Sequence, residues 1–161
     1  MSGECLVMDL SEIYTEIIAE HNKSKRNKKQ MENPTVILKG RNPSCGDEIE
    51  LALKVEKNII QDASFTGVGC AISQASTSMM IDLVRGQTIE KAQLLIDTFL
   101  GMIKREITEE EQLEILDEAV ALQNISNMPA RVKCAVLSWH TLESAITTEE
   151  GKTSKSSQSS H

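Results

Sequence analysis

The sequence predicts an α+β domain: an N-terminal helix, a three-stranded antiparallel sheet, and then three to four helices packed on one face of that sheet. Three observations lead there. Ile49, Leu51, Leu53 and Val55 alternate with Glu48, Glu50, Ala52, Lys54 and Glu56, the period of a half-buried strand. Two further β-rich runs lie beside it, Thr35 to Lys39 and Ile59 to Phe65, joined by connections short enough for antiparallel pairing. Helical spacing then takes over almost to the end of the chain.

In order, Asp9 to about Asn22 reads as a helix, with Leu10, Ile13, Tyr14, Ile17 and Ile18 on one face and Asp9 or Ser11 as cap. The basic run Lys23 to Lys29 reads first as a solvated helix end and second as a docking patch for an acidic partner. Gly40 to Asp47 is a loop by its Gly, Asn and Pro content, and Lys57-Asn58 turns the second strand into the third. Cys70 to Leu83 reads as a helix ended at Gly86. Thr88 to about Ile103 follows, with Ile89, Ala92, Leu95, Ile96, Phe99 and Ile103 on one face. Thr108 and Glu111 match a capping box, predicting a helix to about Leu122. Asn124 to Pro129 reads as a connector and Ala130 to Ile146 as the last helix. The expected organisation is a flexible N-terminus over 1–8, one domain over 9–146, and a disordered Ser/Thr/Lys-rich tail over 147–161.

Composition narrows the function. The net charge is −7 and aromatic residues make up 2% of 161 residues, which argues against nucleic-acid binding by phosphate neutralisation or base stacking. No apolar run is long enough for a membrane span. The N-terminus lacks the basic-then-apolar pattern of a signal peptide, so a cytoplasmic protein is expected. In that compartment its four cysteines point to metal binding or catalysis rather than disulfides.

Cys70 is the focal residue. It follows Gly67-Val68-Gly69 at a strand-to-helix turn, where the unpaired N–H groups of a helix start favour thiolate. Taken alone, a small buried packing residue is the simpler reading. Cys45 lies on the loop before the second strand, with Asp47 two residues on, and Cys134 in the first turns of the last helix. Three thiolates and a carboxylate would complete a tetrahedral zinc set, although none of the spacings is a Cys-x-x-Cys knuckle. Arg131, three residues before Cys134, shares its helical face and suits a sulfur anion. Cys5 reads as a free thiol. His21, His140 and His161 read as solvated surface residues, Met79, Met80 and Met102 as core filler, and Trp139 as a half-buried helix anchor.

Three segments together are more specific. Asn42-Pro43-Ser44-Cys45-Gly46-Asp47, Gly67-Val68-Gly69-Cys70-Ala71-Ile72-Ser73-Gln74-Ala75-Ser76 and Arg131-Val132-Lys133-Cys134-Ala135-Val136-Leu137-Ser138-Trp139 resemble, in order, the three signatures of the IscU/NifU-like family. The resemblance covers about Asp9 to Ile146. It implies an iron–sulfur cluster biogenesis protein that accepts sulfur from a cysteine desulfurase, with Cys45, Asp47, Cys70 and Cys134 as metal or cluster ligands. Lys133 stands where a typical IscU member has histidine, and the helical stretch from about Gly86 to Met128 is longer than such members need. Both features look like the SufU branch. That branch implies zinc as the bound metal, a SufS-type desulfurase as partner, Cys45 as sulfur acceptor and Arg131 as its nearby arginine. The alternative within the family is a scaffold carrying a transient [2Fe–2S] or [4Fe–4S] cluster for downstream assembly proteins. On the residues themselves, Cys45 sits on a Gly-flanked loop that moves cheaply, and Asp47 is a hard oxygen donor beside soft sulfurs, a weak point for ligand exchange.

Overall fold

The computed structural model describes residues 16–24, 27–43 and 46–155, with side chains to residue 147. Residues 16–24 form helix α1. The strands are β1 (Val36–Asn42), β2 (Asp47–Glu56) and β3 (Ile59–Val68), in the order β1-β2-β3, with both pairings antiparallel. Helices α2 (Ala71–Val84), α3 (Ile89–Ile103), α4 (Glu110–Leu113) and α5 (Pro129–Lys155) follow, with a 3-10 segment, Glu114–Asn127, between the last two. This is the α+β architecture that the strand and helix periodicities predict.

The alternating strand does what its pattern requires. Ile49, Leu51 and Leu53 are fully buried, while Glu48, Glu50 and Lys54 retain exposure on the other face. Helix α2 lies at the centre of the molecule and is buried at most of its positions, Ser73 to Ile81 without a break. So wide a buried surface cannot be all apolar here, and its hydroxyls find partners. Ser76 Oγ donates to the Ala135 carbonyl at 2.6 Å and receives the Trp139 indole N–H at 2.9 Å. Thr77 Oγ1 donates to the Ser73 carbonyl at 2.8 Å. The Ser76 pair pins the N-terminal halves of α2 and α5 together, which matters because Cys70 caps the first and Cys134 lies in the second turn of the other. Trp139 is not the half-buried anchor expected. It is completely buried and stacks on Phe99 with ring centroids 4.1 Å apart. Met79, Met80 and Met102 are core residues, as expected.

The region after α3 departs from the sequence reading. The expected capping-box helix to Leu122 is a single turn, α4, with no side-chain cap. The chain then runs in 3-10 geometry to Asn127, broken at Asp117, whose φ of 49° and ψ of −125° are not helical. The cause is visible in the residues. Leu113, Leu116, Ala119, Leu122 and Ile125 recur every third position, and all five are buried. A period of three puts one face inward only if the chain has three residues per turn. The same run absorbs the expected Asn124–Pro129 connector up to Asn127. At the C-terminal end, α5 runs past Ile146 to Lys155, since nothing from Thr147 to Glu150 breaks a helix.

Candidate metal centre

The site forms where the start of β2, the end of β3 and the N-terminal turns of α2 and α5 meet. Asn42 pairs with Asp47 across the β1–β2 hairpin, and the Gly46 N–H donates to the Asn42 carbonyl at 2.9 Å with Gly46 at φ +74°. This fixes Asp47 as the first residue of β2. At the far end of the adjoining pair, Ile49 faces Gly67. Gly67 has φ +134°, and a Cβ there would sit 2.1 Å from the Glu48 carbonyl oxygen. No other residue fits so close a backbone approach. Two residues on, a Cβ at Gly69 would meet Asp47 Oδ1 at 2.8 Å and Ser73 Oγ at 3.3 Å. The two glycines of the turn therefore let the strand end close onto the carboxylate.

Cys70 is the N-cap of α2, and its sulfur accepts the Ser73 N–H at 3.4 Å. Its own N–H donates to Asp47 Oδ1 at 2.9 Å. Asp47 is buried, and among the described residues its second oxygen, Oδ2, has no hydrogen-bond partner. Cys134 is buried in α5, held over α2 by the Ser76 contacts. One donor atom from each of Asp47, Cys70 and Cys134 falls within 4.8 Å of the other two. A tetrahedral ion with thiolate bonds of about 2.3 Å keeps its sulfurs roughly 3.8 Å apart, so the three converge on the scale of one cation. Two soft sulfurs and one carboxylate, whose second oxygen is buried and unpartnered among the described residues, fit a metal ion and supply three of its positions.

Of the predicted site residues, Asp47, Cys70 and Cys134 are thus brought together. Cys45 lies outside the described residues, as do Cys5 and His161. Arg131 is exposed on the first turn of α5, three residues before Cys134. His140 is exposed, as expected, 3.8 Å from Glu143. His21 is not solvated: it is buried, and Nε2 donates to the Glu118 carboxylate at 2.8 Å while Nδ1 lies 2.8 Å from Ser78 Oγ. The expectation failed because an isolated histidine in a helix carries no local sign of what will pack over it. A cavity of about 420 Å³ opens beside the centre, with Lys28, Phe65, Val68, Ala71 and Gln74 among its walls. Val68, 65% exposed, leaves an apolar edge next to Cys70.

A small antiparallel sheet backed by helices, with thiols and a carboxylate gathered at helix N-termini, defines a class of small α+β domain built around a thiolate-rich metal centre. Residues 13–135 match the NifU-like N terminal domain, and the chain belongs to that family. It is 40% identical over 143 residues to the zinc-dependent sulfurtransferase SufU of Bacillus subtilis, covering 89% of this chain and 95% of that protein. It is 41% identical over 134 residues to the iron–sulfur cluster assembly scaffold protein IscU of Thermotoga maritima, covering 83% and 92%. The crystal structure of FiSufU from Fervidobacterium islandicum AW-1, described as a candidate scaffold protein for the SUF system, superposes with a TM-score of 0.78 at 36% identity, covering 84% of this chain and 97% of that one. No helix among the described residues is long and apolar enough to cross a membrane.

Proposed function

We propose that this protein works in iron–sulfur cluster biogenesis as a zinc-bound sulfur acceptor, taking sulfur from a SufS-type cysteine desulfurase onto Cys45 in the cytoplasm. The observation that supports this most is the convergence of Asp47, Cys70 and Cys134 within 4.8 Å. Cys45 is the proposed fourth ligand, two residues before Asp47 in the chain. Similarity to a zinc-dependent sulfurtransferase over most of both chains supports zinc as the ion. Bound there, zinc keeps the thiols deprotonated at neutral pH.

The remaining chemistry belongs to the chain. The Cys45 thiolate attacks the outer sulfur of a persulfide on the desulfurase. The sulfur–sulfur bond of that persulfide breaks, the desulfurase cysteine leaves as a thiolate, and Cys45 carries the persulfide. Asp47 is held by the Cys70 N–H through one oxygen, so its other oxygen is the donor free to engage and release. Arg131, on the exposed first turn of α5, offers a guanidinium to the sulfur anion near Cys134. The exposed Val68 edge beside Cys70 gives a desulfurase an apolar contact.

The test is desulfurase turnover with and without this protein, with zinc quantified in the same sample. The parent raises turnover and holds one zinc per chain. Cys45→Ala abolishes sulfur acceptance, and full transfer by that variant would refute the role of Cys45. Similarity to an assembly scaffold at 41% identity favours a second reading, in which the same donors hold a cluster that is passed on to downstream assembly proteins. Anaerobic reconstitution separates the two. Tight, colourless zinc supports sulfur relay, and a stable brown cluster supports the scaffold.

A further inference from the structure

We propose that Ser73 is a positioning residue that makes the Asp47 carboxylate an exchangeable donor, a proposal that rests on the metal-centre reading above. Ser73 is the third residue of α2, the position from which a longer Glu or Gln side chain turns back to the N–H of the cap residue in a capping box. That place is taken. The Cys70 N–H donates instead to Asp47 Oδ1, from a different strand, at 2.9 Å. Ser73 is left with its N–H on the Cys70 sulfur at 3.4 Å and its hydroxyl without a partner among the described residues, in a side chain only 1% exposed.

A buried orphan hydroxyl is costly, and one beside an orphan acceptor is a matched pair that has not been joined. The acceptor is Asp47 Oδ2, itself buried and unpartnered among the described residues. The two side chains are neighbours: the position a Gly69 Cβ would occupy lies 2.8 Å from Asp47 Oδ1, 3.2 Å from Asp47 Cγ and 3.3 Å from Ser73 Oγ. Rotation about χ1 of a serine is a small motion among staggered wells. In this proposal such a rotation brings the hydroxyl to the carboxylate with the backbone in place. With the Cys70 N–H already on one oxygen, the Ser73 O–H on the carboxylate gives a detached Asp47 a second donor inside the protein. The same bond competes with the metal for the carboxylate lone pairs and so weakens it as a ligand. Ser73 thereby lowers the barrier to vacating one position of the centre while both cysteines stay in place.

The direction of the effect separates this role from simple packing. Loss of a structural hydroxyl would loosen the centre and speed metal loss. Loss of a release element does the opposite. In the full chain loaded with zinc, Ser73→Ala should release zinc to a chromogenic chelator about tenfold more slowly than the parent, as expected for removal of one hydrogen bond to a charged group. In the cobalt-substituted protein, the same variant should shift the visible ligand-field band, because its carboxylate donor is stronger. Release at the parental rate or faster, or an unshifted cobalt band, overturns the proposal. Parent protein that binds no zinc, or Asp47→Ala that releases zinc as the parent does, would instead overturn the metal-centre reading on which it depends.

Discussion

Two polar clusters flank α2, and they are opposites in hydrogen bonding. At its N-terminus, Asp47 Oδ2, Ser73 Oγ and Gln74 Nε2 are buried without partners among the described residues, and Ser138 Oγ, one turn beyond Cys134 on α5, is a fourth. From Ser76 onward the buried side-chain polar groups of the helix all have partners. Asn27 Nδ2 donates to the Ser78 carbonyl, Ser78 Oγ and Asp82 Oδ1 at 2.9 to 3.1 Å. Arg85 donates to Asn27 Oδ1, Asp62 Oδ1 and the Ala63 carbonyl. His21 ties Ser78 to Glu118 of the 3-10 segment. A closed network spends its polarity on holding α1, α2, β3 and the 3-10 segment in one arrangement. An open one keeps donors and acceptors in reserve for something that arrives.

The contrast predicts a clean separation of effects. The largest belongs to the open cluster. Gly69→Ala puts a methyl 2.8 Å from Asp47 Oδ1, so the carboxylate must shift from its position at the centre. Zinc affinity should fall by on the order of a hundredfold in a competition titration, while the unfolding midpoint of the metal-free protein stays close to the parent. Equal zinc affinity in Gly69→Ala and in Asp47→Ala together would show that Asp47 is not a ligand.

Next is the closed cluster. His21→Ala removes a buried ring and its hydrogen bonds to Ser78 and Glu118, for a loss of about 2–4 kcal/mol in denaturant unfolding, with zinc affinity unchanged. A variant that loses zinc and keeps its stability would erase the distinction between the clusters.

The smallest effect is at the network's rim. Burial works to raise the Asp62 carboxyl, but the Ala63 N–H, the Arg85 guanidinium and the Lys29 charge outweigh it and leave it below its ordinary value of 3.8. A carboxylate lowered on folding stabilises the protein above its unfolded value, and that contribution is lost as pH falls through the folded value. With Asp62 and Arg85 both more than a third exposed, it should amount to less than about 1 kcal/mol. Asp62→Asn should therefore be slightly less stable than the parent near neutral pH and equal to it in strong acid. A difference that persists in strong acid would place the effect in packing rather than charge.

The two clusters also differ in how far the sequence revealed them. Asp47, Cys70 and Cys134 were legible because thiols and a carboxylate beside turn glycines have few other uses, and because their motifs match a family in order. The closed network was not. His21 and Asn27 sit in or beside a basic run that looks solvated, and their partners lie more than fifty residues away. In the sequence Ser73 stands out only as a member of a motif. Its interest comes from being buried and unpartnered among the described residues beside Asp47, which already takes the Cys70 N–H. The 3-10 segment lies between these cases: its period of three was present from Leu113 to Ile125, beside a capping pattern that pointed to an α-helix.

By itself the sequence determined what periodicity and local chemistry can encode. It set three strands, helices on one face, glycines where β3 turns into α2, and a supply of thiols and carboxylate suited to a metal. Only the tertiary structure decided which polar groups are satisfied. A hydrogen bond between distant elements depends on the packing that brings them together, and no spacing along the chain records it. Here that packing joins His21 to Ser78 and Glu118, and leaves Ser73 and one oxygen of Asp47 waiting at the centre.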